Sequence, residues 1–124
     1  MNAGVKDYND RWLKAWTDKD VAKLLQFYAR DAIYRDPQVP GGVQGREALK
    51  AHLEQLFAAT PPMRYEADEV WLTEAGYCGR WYCTITPPDG PERYLRGFDL
   101  VALRGEEITF NEVYVHQLAA LPPR

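Results

Sequence analysis

RWLKAWTDKDVAKLLQFYARDAIYRDP, residues 11–37, changes its hydrophobic period once and closes on an aspartate-proline pair; how it divides decides the fold. From residue 5 to residue 16, Val5, Tyr8, Trp12, Ala15 and Trp16 recur at helical spacing, with Leu13 beside them. Asp18-Lys19-Asp20 interrupts that helix, and Asp20 is placed to N-cap a second one over 21–28, with Leu24, Leu25 and Phe27 or Tyr28 turned inward. DAIYRDP, residues 31–37, then reads as a short strand. Along it Tyr34 and Asp36 share one face, and Ile33 and Arg35 share the other. Pro37 holds Asp36 in extended backbone and ends the strand.

Gly41-Gly42 reads as a loop, and residues 46–59 predict a third helix with Leu49, His52, Leu53, Leu56 and Phe57 on one side. Thr60-Pro61-Pro62 stops it, because proline cannot continue a helix. Beyond that point the period becomes strand-like. Segments 64–72, 77–86, 93–103 and 107–116 predict four strands separated by turn signals at Gly76, Asp89-Gly90 and Gly105. Their short connections suit an antiparallel meander, and residues 118–124 read as a loose tail. The whole, 1–124, is expected to be one α+β domain with three helices on the concave face of a curved sheet, enclosing a cone-shaped hollow.

Composition narrows the function classes. A net charge of −3 offers no basic footprint for nucleic acid or an anionic membrane. No apolar run reaches the roughly 20 residues of a membrane span, and no signal-peptide core is visible. Cys78 and Cys83, five apart in one strand, fall on opposite faces, so no disulfide joins them. No metal-ligand cluster, phosphate loop or nucleophile elbow occurs, so no cofactor is expected. A reduced, cytoplasmic protein is the expectation. Aromatic residues make up 13% of the chain, enough to wall a pocket with rings.

The segment 11–37, then GREALKAHLEQLF (45–57), then RGFDLVALRGEEITFNEVYV (96–115), in that order, resemble the NTF2-like superfamily, particularly its SnoaL-like and ketosteroid-isomerase-like members. The resemblance implies the cone fold. It also implies one of two functions: a small cofactor-independent enzyme working by aspartate acid–base chemistry on an apolar cyclic or carbonyl-bearing molecule, or a non-catalytic binding or scaffold domain.

Asp36 has two readings: the opening residue of a turn, or, by resemblance, a pocket base whose pKa partial burial would raise. Asp99 sits in an apolar row with Leu95, Gly97, Val101 and Leu103; by resemblance it is a protonated carboxyl facing the substrate oxygen, or else a residue that tunes the pocket. The isomerases carry a tyrosine on the first helix where this chain has Trp12, and Tyr8, Tyr34 and Tyr28 are the alternatives for its donor role. On the last strand Asn111, Val113 and Val115 share one face and Phe110, Glu112, Tyr114 and His116 the other. The resemblance favours the Asn111 set for the cavity and leaves the His116 set for a subunit interface, with His116 a reserve acid–base group. His52 reads as a hydrogen-bonded core or rim histidine. Arg93 shares the face of Asp99 but lies about 20 Å along the strand, and Arg96 has the wrong parity, so neither pairs with it. Phe98, Leu100 and Ala102 on the outer face suggest a homodimer interface.

Overall fold

A computed structural model describes residues 2–123, and it is an α+β cone: three helices and a six-stranded, unclosed sheet. Helix α1 spans Asn2–Thr17, α2 Val21–Leu25 and α3 Arg46–Ala59. The strands are β1 Tyr28–Asp36, β2 Val39–Gln44, β3 Met63–Leu72, β4 Gly76–Ile85, β5 Arg93–Arg104 and β6 Glu107–Leu118, in spatial order β2-β1-β6-β5-β4-β3. The third helix and the four-strand meander lie where the periodicity puts them. None of the helices is long and apolar enough to cross a membrane.

The differences have tertiary causes. Asp20 does cap α2, its Oδ1 accepting from Lys23 N at 3.0 Å. The helix nevertheless ends at Leu25, because Phe27 O accepts from Ile108 N at 2.7 Å and Tyr28 pairs with Ile108. Sheet pairing with a segment far along the chain thus takes Tyr28 from the predicted helix into β1. Gly41-Gly42 is not a loop but the middle of β2, which folds back antiparallel onto β1. The sheet is antiparallel except that β1 runs parallel to β6. Leu118 ends β6 rather than opening the tail; residues 119–123 carry no helix or strand, and Arg124 lies outside the described residues.

Breaks of register in β3 (between Ala67 and Val70) and β5–β6 (at Ala102–Leu103) mark bulges, which bend a sheet and increase its twist. Tyr8, Trp12, Leu13, Ala15 and Trp16 of α1 are buried against that curve, and Leu49, Leu53 and Phe57 of α3 join them. Gly45, at φ +90°, makes the sharp entry into α3 that a side chain would strain, and its N–H donates to Ala32 O at 2.8 Å. Lys19, at φ 53°, turns the chain between α1 and α2 and ties it to the end of α3 by Nζ bonds to Phe57 O and Thr60 Oγ1 at 3.1 and 3.0 Å.

One edge of the sheet matters for access. β1 pairs with β6 only as far as Arg35–Glu112, and at Pro37 the chain turns away, while β6 continues to Leu118. Past Glu112, β6 therefore has no strand on its β1 side, which leaves a notch beside Asp36.

Candidate functional site

The hollow under the helices is a chamber of about 220 Å³. Rings from α1 (Trp12, Trp16), β1 (Tyr34), β3 (Tyr65) and β4 (Trp81) wall it, and Asp36 and Asp99 both line it. The two aspartates that the family resemblance placed in the pocket therefore meet the same hollow. Val113 and Val115 line it as well, so the Asn111 face of β6 is the inner one.

Asp36 both closes a turn and lines the chamber. Oδ1 accepts from the N–H groups of Gln38 and Val39 at 2.8 and 3.1 Å, a side-chain-closed turn. Oδ2 accepts from the Tyr34 hydroxyl at 2.8 Å and faces His52 Nε2 at 2.9 Å. An ionised carboxylate only accepts, so the Nε2 nitrogen of His52 is the one bearing the proton there. Burial pushes the Asp36 carboxyl up, but hydrogen bonds from His52, Tyr34 and Gln38 together outweigh it, and the net displacement is downward from 3.8. The expected raised pKa is thus reversed: an aspartate that also closes its own turn receives too many donors to be held neutral. Four accepted bonds also fill about the four lone-pair positions that a carboxylate offers.

Asp99 is the opposite case. It is buried, with Trp81 Nε1 donating to Oδ2 at 2.5 Å and Asn111 Nδ2 donating to Oδ1 at 3.0 Å. Burial raises its pKa from 3.8 to about 7, against the pull of Asn111 and Trp81. No arginine takes part in these bonds, in keeping with the parity and distance of Arg93 and Arg96. Gly97 makes the Trp81 bond possible. Trp81 faces Gly97 across β4–β5, and a Cβ at that glycine would collide with ring atoms Cζ2, Cε2 and Cη2. The indole lies in the space of the missing side chain, which carries Nε1 to the next inward residue, Asp99.

Asn111 extends the network, since its Oδ1 accepts from the Tyr28 hydroxyl at 2.8 Å. Burial first, and then the nearby Asp99, push the Tyr28 hydroxyl well above its ordinary value. Trp12 Nε1 is buried beside the Tyr28 hydroxyl and pulls its pKa down against the larger effect of burial. Tyr34 is likewise raised by burial and by Asp36, so both hydroxyls stay protonated.

The remaining sequence candidates separate. Trp12 and Tyr34 line the chamber. Tyr28 and Asn111 stand behind it and reach it through Asp99. Tyr8 does not line it: its hydroxyl donates to Glu106 O at 2.9 Å, because that turn of α1 packs over the β5–β6 connection. His116 is on the outer face, its Nε2 3.2 Å from Arg96, since odd and even positions of β6 point to opposite sides. There it borders a broader, open hollow of about 500 Å³ with Arg35, Arg80, Phe98 and Tyr114. That hollow shares Asp36, Pro37, Val113 and Val115 with the chamber, across the notch beside β6.

Two partners were not read from sequence. The sequence reads His52 as a core or rim histidine and does not name its acid; a polar residue in the Leu49–Leu53–Leu56 stripe needs a partner, and that is the available signal. Trp81 was not singled out, although a tryptophan opposite a strand glycine is a recognisable pairing. Among the described residues no three His, Cys, Asp or Glu side chains gather to hold a metal.

The α+β cone is the fold of small NTF2-like domains. The chain belongs to the SnoaL-like domain family, whose model matches residues 9–111. No curated protein matches it. Among solved structures it is similar to a Catenulispora acidiphila protein of ketosteroid isomerase-like fold in complex with trimethylamine, at 20% identity and TM-score 0.76, covering 86% of this chain and 83% of that one. It is also similar to AclR, a putative hydroxylase from Streptomyces galilaeus (14%, TM-score 0.74, covering 93% and 80%). A third is TerC co-crystallised with polyporic acid (16%, TM-score 0.75, covering 89% of each). At these identities the likeness concerns the fold.

Proposed function

We propose that this protein is a small acid–base enzyme acting on an apolar, carbonyl-bearing small molecule held in the chamber, with Asp99 carrying the proton. The observation that supports it most is that two carboxylates on one cavity are displaced in opposite directions, Asp36 downward and Asp99 up to about 7. Such a divergence separates the roles of a fixed anion and a proton carrier. Asp36 has its acceptor positions filled by its turn, Tyr34 and His52, and so serves as the fixed anion. Asp99 accepts only two bonds and keeps capacity toward the chamber.

When Asp99 is protonated, its O–H has the chamber as its outlet, because Trp81 Nε1 only donates and Asn111 presents its NH₂. A ligand carbonyl would accept that bond. When ionised, the same group is a base matched to neutral pH. The aromatic wall excludes water and strengthens both interactions. This differs from the division of labour implied by the family resemblance, in which the Asp36 position moves the proton. The trimethylamine in the Catenulispora relative supports a small-molecule occupant. Exposed Phe98, Leu100 and Tyr114 support pairing of two copies through the outer sheet face, and free Cys78 and Cys83 suit a reducing compartment such as the cytoplasm.

The test is proton exchange. A panel of small enolisable ketones is incubated with the protein in D₂O and followed by NMR. Wild type is expected to accelerate exchange at the α-carbon of at least one ketone, and Asp99→Asn to abolish it. Ligand binding without exchange would favour the non-catalytic binding domain, and unchanged exchange in Asp99→Asn would remove Asp99 from the chemistry.

A further inference from the structure

The chamber lining has an electrostatic composition that shape alone does not require. Seventeen residues border it, and none is lysine, arginine or histidine, while two are aspartates. Five of them are aromatic, set at varied angles: Trp12 and Trp16 at 90°, Trp16 and Tyr34 near-parallel at 26°, Tyr65 and Trp81 at 64° with centroids 4.9 Å apart. Rings at several orientations around a small volume present electron-rich faces from more than one side. The basic side chains that approach the lining are engaged elsewhere. His52 is directed at Asp36, and Lys19 is held by Phe57 O and by Thr60. Asp36 spends its acceptor positions on four donors, whereas Asp99 keeps acceptor capacity toward the chamber.

We infer that the chamber is a cation cage, and that the small molecule it takes bears an organic ammonium group, ringed by Trp12, Trp16, Tyr65 and Trp81 and facing Asp99. This rests on the proposed role of the same chamber and names the charge of its ligand. An alkylated ammonium suits the site better than a bare metal ion, because its alkyl surface matches the apolar wall while its charge is spread over the whole group. The volume of about 220 Å³ suits a group of that size, being below the roughly 300 Å³ at the lower end of pockets for larger organic ligands.

The inference carries a definite pH dependence. An ammonium is held better by ionised than by protonated Asp99, so its affinity rises with pH through neutrality and its binding releases protons there. The other titratable groups whose fields reach Asp99 are Tyr28 and Tyr34 on β1, Tyr65 on β3, and Tyr77 and Cys78 on β4. All five are displaced upward and stay protonated through neutrality. Asp36, with His52 beside it, is displaced downward and is already ionised.

Choline and its uncharged isostere 3,3-dimethylbutan-1-ol are the probes, titrated calorimetrically into the whole protein at about pH 8 and about pH 5.5. Choline is expected to bind about tenfold more tightly than the alcohol at the higher pH, with the preference shrinking at the lower. Asp99→Asn should remove most of the preference. Tyr65→Leu keeps an apolar wall but deletes a ring, and should weaken choline more than the alcohol. Equal binding of the two probes at the higher pH, a tighter alcohol, or no binding of either would overturn the inference. So would a choline preference indifferent to both substitutions. Because the readout is equilibrium binding, such a failure leaves the ketone-exchange result standing on its own.

Discussion

Replacing Asp99 with asparagine keeps the side chain's size and removes its titration, which separates the energetics of its charge from those of its packing. Burial raises the carboxyl from 3.8 to about 7, so between those values the folded protein retains a proton that the unfolded chain has released. Stability therefore falls as pH rises through that window. At about 1.4 kcal/mol per tenfold change in acidity, the full loss is about 4 kcal/mol, of which about 3 falls between about pH 5 and about pH 8. Asparagine carries none of that dependence. It brings a different penalty: Oδ1 can still accept from Trp81, but Nδ2 then meets the Asn111 NH₂, and a frustrated buried donor costs about 1–3 kcal/mol. Turning over the Asn111 amide moves the conflict to Tyr28, whose hydroxyl loses its acceptor. That penalty is independent of pH.

Urea denaturation followed by tryptophan fluorescence, run on both proteins across that range, measures the difference. The stability of Asp99→Asn relative to wild type should rise by about 3 kcal/mol from about pH 5 to about pH 8. All other titrating groups are common to the two proteins and drop out. Parallel curves, with a constant offset, would show that Asp99 titrates in the folded state as it does unfolded, and would refute the reasoning.

Three further outcomes follow from other contacts. Gly97→Ala forces its methyl into Trp81, so it should destabilise by about 1–3 kcal/mol, the range for overpacking, and shift the tryptophan emission of the folded protein; unchanged stability and emission would show that the indole does not lie over Gly97. Tyr34→Phe removes one donor to a charged group and should cost about 1.5–3 kcal/mol in urea denaturation near neutral pH, and also raise the Asp36 pKa as read by NMR. The depressed Asp36 contributes stability that is present above its unfolded value of 3.8 and is lost as pH falls through the folded one, so Asp36→Asn should make the acid limb of the stability curve shallower.

The parts legible in the sequence are those set by local pattern. The third helix occupies Arg46–Ala59 as its periodicity indicates, and the four meander strands fall within a residue or two of their alternating segments. Strand parity put Tyr34 with Asp36, and Asp99 with Leu95 and Val101, on shared faces, and the family resemblance supplied the inward direction. Curvature of a sheet covered on one side brings such faces to one hollow. What the pattern did not carry was pairing at a distance. Tyr28 continues a helical period but is drawn into β1 by Ile108, and two glycines become strand because β1 supplies their partner. The Asp36 carboxyl was expected to rise with burial; its displacement reversed because His52 arrives from α3, whose docking is a tertiary fact. The Trp81–Asp99 bond likewise needed the indole to cross a neighbouring strand at Gly97.

The central claim is that Asp99, not Asp36, is the carboxyl that changes charge near neutrality in the chamber. Side-chain carboxyl ¹³C shifts, recorded as a function of pH and assigned with the Asp36→Asn and Asp99→Asn variants, test it most directly. Asp99 should titrate at about 7, and Asp36 below its ordinary 3.8. An Asp99 midpoint near that ordinary carboxylate value, or an Asp36 midpoint above that of Asp99, would contradict it.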